Sequence, residues 1–460
     1  MSSTFDRDRL EALCRRVLAL TRAEAARVTI DDGARGFTRY AANRITTAGE
    51  SRDSNVGITS VFGRRLATVT TNRLDDGALE EAVRRSEALA RLAPENPEYV
   101  GELEPQRYLD VASTAGAGAD GAAETAGATG ERGAAARAGA AALALDGARG
   151  AGTVAAGFLD TVERATVLAN TRGLFAHHRA TGAAHTLTMR TPDGGASGWA
   201  GGEAPDAGGV DHAAIARTAV EKCLRGRDRR DLEPGQYTVV LEPTAAGMLL
   251  LRLLEHLDAR AADEGRSFFS KPGGGSRIGE ALFDARVTLD SDPSKAGAEA
   301  APFDGEGLPR RGVRWIENGV LRALGTSRYW ARERGGEPIA RPGNLVLTVA
   351  GAQSLEQLVA STERGVVITR FWYIRPLNPR TMSYTGLTRD GTFLVEDGRI
   401  AGAVNNFRFN QSLADLLRGI EGASAPVRVV ATESSALGMP LSAPALKVRD
   451  FHLSSRSEAV

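Results

Sequence analysis

The strongest constraint on the fold comes from Pro243 to Phe269, which predicts one helix followed by a Gly-led turn and a short extended piece. Pro243 suits the first turn of a helix, where its missing N–H group would have no partner in any case. Apolar side chains then surround most of the predicted helix: Met248, Leu249, Leu250, Leu251, Leu253, Leu254 and Leu257. Because a helix that is apolar nearly all round avoids water, we expect this segment in a core or an interface.

Composition excludes several classes of function. The chain has 460 residues, enough for two or three domains, and its 57 basic and 57 acidic residues cancel. No long-range field would therefore attract nucleic acid or an anionic membrane. The two cysteines, Cys14 and Cys223, lie far apart and do not indicate a disulfide framework. Met1 to Arg9 lacks the apolar core of a signal peptide, so we expect a cytoplasmic protein.

The predicted fold class is α+β, with an N-terminal α/β layer followed by a β-rich C-terminal domain that holds the buried helix. Charged residues ending in Glu-Pro-Gly at 233–235 mark the main boundary. The predicted parts are an N-terminal α+β unit at 1–110, an Ala/Gly-rich linker or surface helix at 111–149, the strand-rich remainder of the N-terminal domain at 150–233, and the C-terminal domain at 234–460.

Within the N-terminal half, apolar spacing predicts helices separated by groups of short strands. The predicted helices are Arg7–Ala25, Asp75–Ala93, Ala134–Leu145 and Asp211–Leu224. The predicted strands are Val28–Ile30, Phe37–Ile45, Val56–Val61, Leu66–Thr71, Thr153–Leu159, Ala165–Asn170, Leu174–Arg179 and His185–Arg190.

Histidines offer two candidate sites. His177 and His178 are adjacent in a predicted strand and so point to opposite faces, and His185 could join one of them across a hairpin. Cross-strand packing explains the same residues without a metal. Glu255-His256 could belong to a metal or acid–base site, but zinc needs at least three convergent ligands, so the sequence favours a solvated or interface stripe on the helix.

A peptide-binding strand is predicted at Val366 to Ile374, a β-branched and aromatic run. One interpretation is a groove strand that offers main-chain hydrogen bonds to an extended peptide. The candidate contact residues are Arg370, Trp372, Tyr373 and Asn378. The other interpretation is a core strand of the same sheet, and the two are compatible.

Several short motifs, in this order along the chain, resemble those of the TldD/PmbA family of peptidases. They are Asn170-Thr-Arg-Gly-Leu174, Gly265-Arg-Ser-Phe-Phe269, Pro302-Phe-Asp-Gly-Glu-Gly307, Ile316-Glu-Asn-Gly-Val-Leu321, Ser327-Arg-Tyr329, Thr369-Arg-Phe371, Asn378-Pro379, Phe393-Leu-Val-Glu-Asp-Gly-Arg-Ile400 and Pro440-Leu-Ser-Ala-Pro-Ala-Leu446. No single motif decides the resemblance, but their order and spacing cover most of the chain.

The resemblance implies a catalytic branch that binds zinc through HExxxH and a later Cys, and a sister branch, of TldE or PmbA type, without these ligands. Counted back from Gly265, the HExxxH letters fall on positions 250–255. Leu250 then replaces the first metal ligand, Leu251 the general base and Glu255 the second ligand. The later Cys falls near Thr432 to Ser434, where the chain has none.

The resemblance therefore implies a subunit without zinc and without catalytic residues of its own. It would pair with a zinc-bearing TldD-like homologue in a heterodimeric metallopeptidase that cleaves unfolded or small peptides, and would help to bind the extended peptide. Two alternatives remain open. One is a self-sufficient homodimeric hydrolase that uses another site, such as His177, His178 and His185. The other is a peptide-binding regulatory module without a peptidase partner.

Overall fold

The computed structural model describes residues 6–111, 133–431 and 438–457. Helices in these ranges are α1 (Arg7–Ala19), α2 (Asp76–Leu92), α3 (Ala134–Ala151), α4 (His212–Arg225), α5 (Pro243–Leu253), α6 (Ala259–Asp263), α7 (Arg328–Arg334), α8 (Leu355–Ala360) and α9 (Leu413–Arg418). None of these described helices is long and apolar enough to cross a membrane.

The strands join these helices in a mixed α+β arrangement, as predicted. In chain order they are β1 (Ala25–Ala41), β2 (Arg44–Phe62), β3 (Arg65–Thr71), β4 (Val154–Asn170), β5 (Phe175–Arg190), β6 (Ser197–Ala204), β7 (Gly235–Leu241), β8 (Val287–Ser291), β9 (Val313–Glu317), β10 (Val320–Leu321), β11 (Leu345–Val349), β12 (Arg364–Asn378), β13 (Ser383–Glu396), β14 (Arg399–Ala403), β15 (Asn406–Ser412), β16 (Ile420–Ala423), β17 (Val427–Arg428), β18 (Leu441–Ala443) and β19 (Leu446–Ser457).

One long antiparallel sheet, in the order β3-β2-β1-β4-β5-β6, forms the N-terminal half. The pairing of β1 with β4 runs without a break from Arg27↔Asn170 to Tyr40↔Gly157. Residues of equal parity in a strand share a face, so Ile30 and Tyr40 of β1 point to the same side. Ile30 packs in the core under α1 and α2, and Tyr40 in the core under α3 and α4. The two helix pairs therefore cover the two ends of one face of the sheet.

The predicted strand Leu66–Thr71 is confirmed as β3, but most other predicted strands of this half are too short, because polar residues inside the long strands resemble loops in the sequence. Arg35 donates to Asp160 on the neighbouring strand, with 2.8 Å between Nε and Oδ1. This cross-strand pair lets polar residues stay within a continuous sheet. The predicted strand Phe37–Ile45 instead contains the turn at Ala42 and Asn43, whose φ angles of 51° and 59° suit a two-residue hairpin.

The Ala/Gly-rich segment contains a packed helix rather than a frayed one. Helix α3 extends to Ala151, beyond the predicted end at Leu145, and buries Ala140, Ala144 and Ala148 against the sheet and α4. Small side chains allow this close approach. The earlier part of the predicted linker, residues 112–132, lies outside the described residues.

Two sheets enclose α5 in the C-terminal half. The first has the order β10-β9-β8-β11-β18-β17 and the second the order β12-β7-β19-β15-β13-β14. In the second, β12 also pairs with β13, so five strands close into a ring. Leu249, Leu250 and Leu253 of α5 pack in one core with strands from both sheets. The prediction of a buried helix is confirmed.

The prediction of a single helix through residue 263 is wrong, because the chain leaves the helix after a 3₁₀ turn at Leu254–His256. Asp258 is extended and forms a bridge with Gly325. Its side chain accepts from the Ala261 N–H at 2.8 Å and so starts α6. Contacts with a distant strand-like segment and a new helix cap therefore replace the helical bonds that the spacing predicts.

Partly buried ion pairs join the two halves of the chain. Lys222 of α4 donates to Glu242, the residue before α5, with 2.6 Å between Nζ and Oε2. Arg428 donates to Glu203 of β6 with 2.8 Å between Nε and Oε1. Because removal of one partner would leave a partly buried charge without its counter-ion, these contacts help to hold the N-terminal sheet against the C-terminal core.

We expect Gly247→Ala to destabilise the protein although alanine favours helices. A Cβ atom at Gly247 of α5 would lie 2.6 Å from Cγ2 of Val429, whose β-branched side chain has little freedom to move. Overpacking of this kind costs about 1–3 kcal/mol. The matched control is Gly139→Ala in α3, where a Cβ meets no atom within 4 Å. This control should gain up to about 1 kcal/mol. Urea unfolding measures both changes, and equal shifts would contradict the packing of α5.

Candidate functional site

A cleft opens where the chain leaves α5. It has a volume of about 420 Å³ and lies between the α5–α6 connection and the turn that joins β12 to β13. Its lining residues are Glu255, His256, Ala261, Arg266, Ser267, Pro376, Asn378, Pro379, Arg380, Ser383 and Tyr384. The end of the buried helix thus forms one wall, and the end of the predicted peptide-binding strand forms the other.

A hydrogen-bonded group of three side chains occupies the base of this cleft. The Tyr384 hydroxyl lies 2.8 Å from Nε2 of His256 and donates to Oε2 of Glu255 at 3.0 Å. His256 then serves as the donor to the tyrosine oxygen. Burial lowers the pKa of His256, opposed by the charge of Glu255, and burial together with Glu255 raises the pKa of Tyr384. A neutral histidine and a neutral tyrosine therefore support the Glu255 carboxylate.

The positions that the resemblance assigns to zinc do not fit the metal. Leu250 is 4 % exposed within the apolar core, and hydrocarbon side chains offer no electron pair to a cation. Of the three substituted positions, only Glu255 reaches the cleft. Among the described residues, no three His, Cys, Asp or Glu side chains converge on a metal-binding position. The place of the expected late Cys, Thr432 to Ser434, lies outside the described residues.

The four predicted peptide-binding residues occupy different environments. Arg370 is 7 % exposed, and its guanidinium lies 4.8 Å from the ring centre of Trp199 in β6. Trp372 is half-buried, and the Arg370 guanidinium lies 5.6 Å from its ring centre. Tyr373 is 52 % exposed with a φ of 55°, and Asn378 lines the cleft. Asn378 alone joins Glu255 and Tyr384.

The strand that carries these residues changes its pairing along its length. Strand β7 pairs with one edge of β12 only from Gly365 to Ile368, whereas β13 follows the other edge to Asn378. Register shifts between Trp372 and Arg375, and again before Asn378, twist the strand toward the cleft. No strand in the described ranges pairs with the first edge over Arg375–Asn378. Among the described residues, this length of β12 therefore has one main-chain edge without a strand partner, beside the cleft.

The predicted histidine site does not form. His178 and His185 belong to the same uninterrupted strand β5, so no hairpin brings them together. Seven residues of strand separate them by about 23 Å. His185 instead lies 2.6 Å from the Tyr40 hydroxyl, between Nε2 and the oxygen, and 3.1 Å from His212, between their Nδ1 atoms. Burial lowers the pKa of His185 to about 3 and that of His178 to about 4.

Three family models match the chain in sequence order. They are the PmbA/TldA metallopeptidase domain 1 at residues 29–90, the central domain at 131–227 and the C-terminal domain at 234–455. The chain belongs to the PmbA/TldA metallopeptidase family. The order of the models agrees with the motifs that carried the resemblance from Asn170 to Leu446.

Two archaeal relatives of this family member are each named a metalloprotease. The protein of Methanothermobacter thermautotrophicus is 25% identical over 235 residues, 47% of this chain and 48% of the relative. That of Archaeoglobus fulgidus is 24% identical over 199 residues, 41% of this chain and 45% of the relative. The aligned part of the chain thus spans about half the length of these curated relatives.

Solved structures of similar fold extend over nearly the whole chain. TldE from Thermococcus kodakarensis is 18% identical with a TM-score of 0.77, and the match covers 96% of this chain and 99% of that one. A proposed modulator of a DNA gyrase from Thermotoga maritima is 20% identical with a TM-score of 0.80 and the same coverage. Identities this low establish the shared fold alone.

Two residues that line the cleft, Tyr384 and Arg380, were not among the site residues predicted from the sequence. Tyr384 meets His256 across 128 positions of sequence, and only the ring of strands brings β13 to the end of α5. Arg380 follows Asn378-Pro379 directly, so the motif that carried the resemblance could have indicated it.

We expect Tyr384→Phe to lower the free energy of unfolding by about 1–3 kcal/mol, because it leaves buried His256 without its partner. Urea unfolding of Tyr384→Phe, His256→Phe and the double variant forms a double-mutant cycle. The double variant should cost less than the sum of the single changes. Strict additivity would contradict the coupling of the two side chains.

The stability of the protein should fall when the pH is lowered from 7 to 5. The folded protein keeps His185 neutral, with a pKa of about 3, while the unfolded chain takes up a proton near pH 6.5. Between these values the unfolded state binds more protons, so each pH unit below 6.5 removes about 1.4 kcal/mol of stability through this group.

Chemical unfolding at pH 7, 6 and 5 measures the slope for the natural chain and for His185→Gln. The variant should lose stability less steeply. Replacement of the exposed His452 by Gln is the matched control and should keep the natural slope. Identical slopes for the natural chain and His185→Gln would refute this dependence.

Proposed function

We propose that this chain is a non-catalytic, TldE/PmbA-like subunit of a heterodimeric metallopeptidase. The observation that carries the proposal is the replacement of both HExxxH ligands and the general base by Leu250, Leu251 and Glu255. The partner would be a TldD-like homologue that bears the zinc, and the substrate an unfolded or small peptide. Two unpaired, buried cysteines and the chain's cancelling charges suit a place in the cytoplasm.

The burial of Leu250 supports this role on physical grounds. Hydrolysis of a peptide bond at neutral pH needs an activated water, which a zinc ion or a base supplies in metallopeptidases. A side chain inside the core of α5 offers neither, and Glu255 accepts hydrogen bonds from Arg252 and Tyr384. The buried Leu250 side chain also contributes to stability, because a leucine contributes about 1.5–3 kcal/mol when it leaves water.

The proposed contribution to substrate binding rests on the end of β12. An extended peptide that pairs with the free edge over Arg375–Asn378 would gain main-chain hydrogen bonds and reach the cleft. Tyr373 and Asn378 are exposed and would contact the peptide directly. Arg370 and Trp372 would act from beneath, since they hold this part of the strand against Trp199.

The histidine-based hydrolase loses its support, because about 23 Å of strand β5 separates His185 from His178. A peptide-binding module without a peptidase partner remains the competing outcome. Co-purification of the chain from its native host separates the two, since a zinc-bearing homologue at equal yield supports the heterodimer and its absence supports the isolated module.

Purified alone, the chain should contain far less than one zinc per molecule and should not cleave unfolded casein or short peptides. Mixed with a zinc-bearing TldD-like homologue, it should raise peptidase activity at least about tenfold, equivalent to 1.4 kcal/mol of transition-state stabilisation. Elemental analysis and release of a fluorescent peptide measure the two quantities.

The control is the same mixture with Gln in place of the HExxxH glutamate of the homologue, which should be inactive. Stoichiometric zinc together with peptidase activity from this chain alone would overturn the proposal.

A further inference from the structure

A second cleft adjoins the first and shares part of its wall. It has a volume of about 490 Å³ and is lined by Asp263, Glu264, Gly265, Ser267, Ser270, Lys271, Pro272, Gly273, Gly274 and Arg380. Ser267 and Arg380 line both clefts. The turn after β12 therefore stands at the junction of one continuous groove, which begins at the free strand edge.

The carboxylates along this groove already have donors. Glu255 accepts from Arg252, Glu264 from Arg260 and Arg266, and Asp263 from the indole N–H of Trp330. Arg380 differs from these groups, because within the described ranges no carboxylate lies within ion-pairing distance of its guanidinium. Its exposed side chain leaves the junction with a cation that no carboxylate of the described residues neutralises.

Two hydrogen bonds fix the main chain of the turn that carries Arg380. The Oδ1 atom of Asn378 accepts the main-chain N–H of Arg380 at 2.9 Å, and the carbonyl of Pro379 accepts the N–H of Phe268 at 3.1 Å. With its oxygen engaged, Asn378 presents its amide N–H groups, and the Arg380 guanidinium presents donors only. The turn therefore offers hydrogen-bond donors and a positive charge to the groove.

We propose that Arg380 and Asn378 bind a carboxylate of the extended peptide. This inference rests on the proposed function, in which the peptide runs along the end of β12 into the groove. The carboxylate belongs to the C-terminus of the peptide or to an Asp or Glu side chain. Arginine suits either source, because its planar guanidinium matches a carboxylate with two parallel hydrogen bonds.

The test is fluorescence anisotropy with the purified full chain and three labelled versions of one neutral decapeptide. The first has a free C-terminal carboxylate, the second a C-terminal amide, and the third the amide with one internal Glu. Each is titrated with the natural chain, with Arg380→Gln and with Arg399→Gln. Arg399 is an exposed arginine of β14 outside the groove, so its variant controls for loss of one positive charge.

We expect the free-carboxylate peptide to bind the natural chain about tenfold more tightly than the amide, as one charge-assisted contact allows. Arg380→Gln should abolish this difference, and Arg399→Gln should preserve it. Recovery of the tenfold advantage by the internal Glu, again lost in Arg380→Gln, would identify a side-chain carboxylate as a ligand.

Equal affinities of all three peptides for the natural chain would overturn the carboxylate site and leave the proposed peptide binding intact. A preference for carboxylate that persists in Arg380→Gln would also overturn it. Failure of every peptide to bind would overturn both this inference and the peptide-binding part of the proposed function. Circular dichroism of each variant checks that the fold is retained.

Discussion

The burial of α5 between two sheets is the contact on which the C-terminal half depends. A helix with leucines on most of its surface needs cover on opposite sides, and a single sheet covers only one. The ring of β12, β7, β19, β15 and β13 supplies one side, and the sheet around β8 and β11 the other. Glu242, the residue that precedes the helix, pairs with Lys222 of the N-terminal half, so the same helix also orients the long sheet.

The position of the cleft follows from the end of this helix. Leu253 is the last residue of α5, and the chain then turns outward through His256 and Asp258 to meet Gly325. This departure leaves space beside the end of β12, where register shifts turn the strand away from β7. A gap between two enclosing sheets is thus a by-product of the helix being shorter than its apolar sequence predicts. His256, Glu255 and Tyr384 line it together with Ala261, Pro376 and Pro379.

The local spacing of apolar residues correctly predicted features that depend on a single segment, such as helix bounds and helix burial. The bounds of α2 and the burial of α5 follow from the spacing of their apolar residues. The length of β1 and β4 could not be predicted in this way, because Arg35 and Asp160 resemble loop residues until their strands are aligned side by side. The separation of His178 from His185 was missed for the same reason. Likewise, the break at Asp258 depends on Gly325, a contact that no local pattern encodes.

The closed ring of strands determines when the main-chain groups at its strand edges can become hydrogen-bonded during synthesis. Strand β19 pairs with β7 on one side and with β15 on the other, so it fills the last place in the ring. During synthesis on a ribosome, β7 and β15 emerge before β19, so the main-chain donors and acceptors on their β19-facing edges stay unpaired until β19 follows. Unpaired strand edges of this kind can pair with strands of other molecules. A nascent chain of this fold would therefore gain most from a chaperone in the interval between the emergence of β15 and that of β19.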